Sequence, residues 1–161
     1  MANQDNYAKN VATIKKLIDE VINARRPDLC DRYLAADRVD YQEYGLPVGA
    51  ANGHDGFKRV LEPFSEAFPD LHLEIEFTVG DEDRIVAYLS TRGTLENAFM
   101  GNAPTGKHFK VNGVDIFRFN EDGKIAAHWG VFDTYGMMSQ LGLIPAPYAY
   151  SRPRHSGRWR D

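Results

Sequence analysis

Apolar positions recur at helical spacing over residues 11–22. Val11, Ile14, Leu17, Ile18, Val21 and Ile22 fall on one stripe, with Lys15, Lys16, Asp19 and Glu20 between them. This predicts an amphipathic helix ending near Arg25-Arg26, because Pro27 biases the residue before it out of helical backbone. A short second helix is expected over residues 27–34, since proline suits a first helical turn. A strand over residues 38–43 and a loop containing Gly45, Pro47, Gly49 and Gly53 should follow. Phe57, Val60, Leu61, Phe64 and Phe68 mark a further helix over residues 55–67, with a kink or break expected at Pro63.

After Phe68-Pro69-Asp70 the period changes. Leu71, Leu73, Ile75 and Phe77 alternate with His72, Glu74 and Glu76, the pattern of a half-buried strand. Turn residues at 80–83 and 120–123 and a loop at 101–106 separate further strands over 84–94, 107–119 and 124–132. A short closing helix is expected at 137–141, and residues 146–161 form an irregular tail carrying Arg152, Arg154, Arg158 and Arg160. Helices first and strands afterwards predict an α+β domain over residues 1–145. We expect a cone-shaped half-barrel of a curved, mostly antiparallel sheet, with helices on its concave side and an open end able to take a ligand.

Composition narrows the function. At 161 residues the chain has room for one domain, and 19 basic against 23 acidic side chains leave a net charge of −4. That balance gives no electrostatic footprint for nucleic acid. No run approaches the roughly 18–20 apolar residues of a membrane span, and the polar first ten residues lack a signal peptide's apolar run, so a cytoplasmic protein is expected. Cys30 is the single cysteine, which excludes an internal disulfide. His54, His72, His108, His128 and His155 show no HxxxH, HxH or ExxH spacing, so no metal is expected. Nucleophile-elbow, phosphate-loop and dinucleotide motifs are absent too, and no cofactor is expected.

The remaining chemistry lies in ionisable side chains on apolar strands. Alternation places Gly113, Asp115 and Phe117 on one face, and His128, Gly130 and Phe132 on one face of the last strand. Asp115 beside Phe117 is either a salt-bridge partner, for instance of Arg92, or a carboxyl group with a raised pKa. His128 is either a satisfied core histidine or a proton-transfer group. Gly130 leaves space beside it. Asp40 precedes Tyr41-Gln42-Glu43-Tyr44 on a stretch polar enough for a water-facing edge strand. Tyr88 shares a face with Val86, Ser90 and Arg92, and either lines the core or donates to a substrate oxygen.

Four motifs in order carry a resemblance: Phe68-Pro69-Asp70-Leu71, Pro104-Thr105-Gly106, Arg118 through Gly123 to Ile125, and Asp133 through Gly136 to Gln140-Leu141-Gly142. Together they resemble the SnoaL-like polyketide cyclases of the nuclear transport factor 2-like superfamily. The resemblance implies a small-molecule substrate, ring closure by cofactor-free acid/base catalysis, and a homodimer. In these cyclases an aspartate on the final strand moves the proton, and Gly130 stands at that position. His128 matches a family histidine, Asp115 falls where a pocket histidine stands, and Asp40 where an asparagine stands. Ketosteroid isomerases are similar around Val114 to Phe119 and place their base at Asp40, but Glu20 or Ile22 replaces their oxyanion tyrosine.

The catalytic candidates are therefore Asp115, His128 and Asp40, with Tyr44, Tyr88, Phe117, Gly130 and Phe132 as substrate contacts. In this reading Asp40 or His128 removes a proton, while Asp115, kept neutral by an apolar wall, donates to the developing oxyanion. The alternatives are epoxide opening to a cyclic ether or diol, using donors among Tyr44, Tyr88, Asp115 and His128, and a non-catalytic ligand-binding module.

Overall fold

The computed structural model describes residues 2–42, 44–81 and 83–145, and the Arg-rich tail expected at 146–161 lies outside the described residues. Helix α1 (Ala2–Lys16) runs on into a wider π-helical segment, Leu17–Asn23. Its stripe of Ile14, Leu17, Ile18 and Val21 is buried against Ile85, Ala87, Leu89, Phe117, Phe119 and Ile125 of the sheet. The π segment ends on the side chain of Asn23, which pairs with both backbone groups of Leu73 at 2.9 Å. Arg25 then takes a left-handed φ of 57°. Its guanidinium donates to the carbonyls of Ser65 and Phe68 at 3.1 and 2.8 Å, near the end of helix α2 (Gly53–Ala67), where carbonyls lack helical partners.

Two local expectations are corrected here. The short second helix is a 3-10 helix, Pro27–Arg32, that ends early, and Leu34 already opens strand β1 (Leu34–Asp40), which starts and ends earlier than the pattern predicts. Helix α2 passes through Pro63 unbroken. The proline sits on the exposed side, where water can satisfy the carbonyl it leaves unpaired.

Strands β2 (His72–Gly80), β3 (Arg84–Thr94), β4 (His108–Phe119) and β5 (Ile125–Phe132) complete an open sheet in the order β1-β5-β4-β3-β2. Only the β1–β5 pairing is parallel. A second core closes the other end, where Phe68 meets Phe99 and Phe109 edge-on at 5.0 and 5.1 Å beside Met137 and Leu141. Three of the four sequence motifs are joints of this frame. Asp70 accepts from the backbone nitrogen and hydroxyl of Thr94 at 2.6 and 2.7 Å. Asn120 and Gly123, at φ 71°, make the β4–β5 turn. Asp133 caps helix α3 (Thr134–Gln140) by accepting from Gly136 N at 2.7 Å.

Cross-strand register decides which side chains meet. Asp115 lies opposite Ala87 on β3 and Gly130 on β5, and His128 lies between Phe117 and Asp40. These residues share the helix-covered face. Tyr88 pairs with Val114 and stacks on Phe77 at 5.1 Å, so it belongs to the outer face. That outer face also carries Val131, which is 75% exposed, and Trp129 stacked on Tyr41 at 4.8 Å. Among the described residues no helix is long and apolar enough to cross a membrane.

Candidate active site

Strand β1 is an edge strand, yet the Asp40 side chain is only 1% exposed. It is covered because Arg38, two residues earlier on the same face, and the chain just after the strand close over it. Asp40 Oδ2 pairs with the Arg38 guanidinium and accepts from the Tyr44 hydroxyl at 3.3 Å, while Oδ1 accepts from Gln42 N at 3.0 Å. Arg38 is itself buried, donates to Ala51 O at 3.1 Å and lies over the Phe57 ring at 5.7 Å. The expected water-facing aspartate is instead an anchored, buried one.

His128 links this anchor to the second carboxylate. Its Nδ1 donates to Asp40 Oδ1 at 3.1 Å, and its Nε2 faces Asp115 Oδ1 at 3.5 Å. The Phe117 ring leans on the imidazole at 5.3 Å. Burial alone would lower the His128 pKa, but its bonds to Asp115 and Asp40 and their negative charge outweigh that and raise it to about 9. For Asp40 burial pushes upward, and His128, Arg38 and the Gln42 amide more than reverse it, so its pKa is lowered. Burial and the two carboxylates hold the Tyr44 hydroxyl protonated, as a donor. At neutral pH Asp40 is therefore a carboxylate beside a protonated His128.

Exposure grades along the row from Asp40 through His128 to Asp115. The Asp115 side chain is 24% exposed against 9% for His128, so Asp115 is the open end. Arg92 does not reach it; that arginine is exposed and lies opposite Lys110 at the far end of β3. The near charged neighbour of Asp115 is instead the His128 imidazole, at 3.5 Å. Two glycines flank Asp115. The Phe132 ring lies over Gly113, with Cδ2 at 3.5 Å from where a Cβ would be, and the Gln42 carboxamide lies over Gly130. Surface hollows of about 250 and 480 Å³ lie elsewhere, beside Lys15 and His72 and beside Arg25 and Lys58.

The structure thus brings together Asp40, Tyr44, Asp115, Phe117, His128, Gly130 and Phe132, and excludes Tyr88, which the register turns to the other face. Sequence reasoning missed Arg38 and Gln42. Both were detectable as the residues two before and two after Asp40 in the strand expected over 38–43, although the strand itself ends at Asp40. The two carboxylates use opposite nitrogens of one ring, and among the described residues no group of His, Cys, Asp or Glu is placed to hold a metal ion.

The family model for SnoaL-like polyketide cyclases matches residues 12–141, and the chain belongs to that family. Solved structures agree. AclR, a candidate hydroxylase from Streptomyces galilaeus, is 26% identical over 88% of this chain and 86% of its own, with a TM-score of 0.74. IdmH, a candidate polyketide cyclase from Streptomyces antibioticus, is 27% identical over 83% and 98%, with a TM-score of 0.72. A candidate polyketide cyclase from Acidithiobacillus ferrooxidans, 24% identical over 84% and 95%, shares the fold at a TM-score of 0.75. No curated protein sequence matches the chain significantly.

The raised His128 pKa is also a stability term. Its stabilisation is fully present below the unfolded value of 6.5 and is lost as pH rises through about 9, on the order of 3 kcal/mol in all. Between pH 6.5 and 9.5 the wild type should lose stability that a His128→Asn variant does not, read as the difference between their urea midpoints at each pH. Parallel curves for the two proteins would contradict the assignment.

Proposed function

We propose that the chain is a cofactor-free cyclase that closes a ring in a polyketide-like small molecule by intramolecular aldol addition, with Asp115 as base and His128 as acid. The observation that supports this reading is an imidazolium fixed between two carboxylates of which one, Asp115, is open to a ligand. Asp40 is too enclosed to touch a substrate and acts by orienting His128 and keeping it charged.

In the reaction Asp115 takes a proton from a carbon next to a carbonyl. The resulting enolate carbon attacks a second carbonyl of the same molecule, forming the C–C bond. The new alkoxide oxygen takes the proton from His128 Nε2, a donor whose pKa near 9 suits a strongly basic oxygen. Passing the proton from Asp115 to His128 across their 3.5 Å contact then resets both groups. Acid/base transfer supplies about 10²–10⁴-fold. Phe132, as an apolar substrate contact, contributes by holding the reacting carbons together.

Exchange of the C1 protons of 2-tetralone, a bicyclic enolisable ketone, in D₂O followed by NMR tests the proton-transfer half of this mechanism. The wild type should accelerate exchange, and Asp115→Asn and His128→Ala should each reduce the acceleration about 100-fold. A wild-type rate equal to buffer, or rates unchanged in both variants, overturns the reading. Consumption of styrene oxide without tetralone exchange would reassign the pair to epoxide opening.

The reading includes a homodimer in which a second copy covers the apolar outer face around Phe77, Tyr88, Trp129 and Val131, with Glu74 and the basic Arg92 and Lys110 at its margin. Sedimentation should show a dimer that Val131→Arg converts to monomer; a monomeric wild type contradicts it.

A further inference from the structure

Gly130 lies opposite Asp115 across the β4–β5 pairing, and another side chain fills the space that it leaves. A Cβ built on Gly130 would lie 2.0 Å from Gln42 Oε1, 2.8 Å from Gln42 Cδ and 2.8 Å from Asp115 Oδ1. No side chain at position 130 could coexist with this placement of Gln42. The glycine is therefore the condition for seating a carboxamide beside the open carboxylate.

One hydrogen bond holds the amide, and two more hold the backbone that carries it. The Tyr44 hydroxyl shares its one proton between Gln42 Oε1 at 3.1 Å and Asp40 Oδ2 at 3.3 Å. The Gln42 backbone nitrogen donates to Asp40 Oδ1 at 3.0 Å. The Tyr41 nitrogen before it donates to His128 O at 2.8 Å, pinning the segment to β5. With its oxygen held by Tyr44, the hydrogen-bonding group the carboxamide offers a ligand is its NH₂. That donor is neutral and belongs to a carboxamide that shares the space over Gly130 with Asp115 Oδ1.

Resting on the cyclase reading, we infer that Gln42 anchors the substrate: its carboxamide, seated in the gap over Gly130, donates to the oxygen of the carbonyl whose neighbouring carbon Asp115 deprotonates. The substrate class follows from the geometry. It presents a carbonyl that becomes an enolate and carries that oxygen toward β5. A neutral amide stabilises the developing oxygen charge without competing with His128 for the proton of Asp115.

The test uses 2-naphthol, a stable enol mimic, as the binding probe, and 2-tetralone exchange as the reaction. Gln42→Ala should weaken 2-naphthol binding about tenfold, as the loss of one hydrogen bond to a polar ligand does. Gly130→Ala should weaken binding at least as much, because its Cβ would displace the amide and crowd Asp115 Oδ1. Gln42→Asn, which keeps the amide but shortens its reach, should recover part of the affinity. Unchanged binding in Gln42→Ala overturns the inference.

The two failures are separable. Exchange that depends on Asp115 with naphthol affinity indifferent to Gln42 leaves the cyclase reading standing and ends the anchoring role. Naphthol binding that depends on Gln42 with no exchange does the reverse. Absence of naphthol binding to the wild type overturns the anchoring role outright.

Discussion

A charged imidazole enclosed between two carboxylates organises this site. Removing His128 from water is unfavourable by itself, and the ring stays protonated because Asp40 and Asp115 each face one of its nitrogens. The same arrangement demands a cation behind Asp40, and Arg38 provides it from within the core. Each charge in the row is thus compensated by its neighbour. A buried row of this kind is more valuable for holding geometry than for adding stability, because desolvation offsets much of the attraction.

The frame supports that row indirectly. Helix α1 and its π extension cover one end of the inner face, and the aromatic cluster around Phe68 fills the other. Between them, strands β1, β5 and β4 present Asp40, His128 and Asp115 side by side. Small residues finish the site. Gly113 and Gly130 leave room on either side of Asp115 for an aromatic ring and an amide delivered from other positions.

Most elements of the fold were legible because apolar periodicity is local, and the stripe Ile14–Leu17–Ile18–Val21 needs no partner to be seen. Three of the four recognisable motifs proved to be joints, such as Asp70 on Thr94 and Asp133 on α3, so they revealed the family and not the chemistry. Alternation within one strand correctly grouped Asp115 with Phe117 and His128 with Gly130. Relations between strands were not legible. Tyr88 misled because a one-residue change in β3–β4 register exchanges faces, and no single-strand pattern fixes that register. Asp40 misled because a polar edge strand is buried only once α2 and the segment after β1 have folded over it.

The most direct measurement is an NMR titration of the ring nitrogens of His128 in ¹⁵N-labelled protein. The account predicts that both nitrogens carry protons at pH 7 and that the ring loses one with a midpoint near 9. A neutral ring at pH 7, titrating at or below the ordinary 6.5, would contradict it.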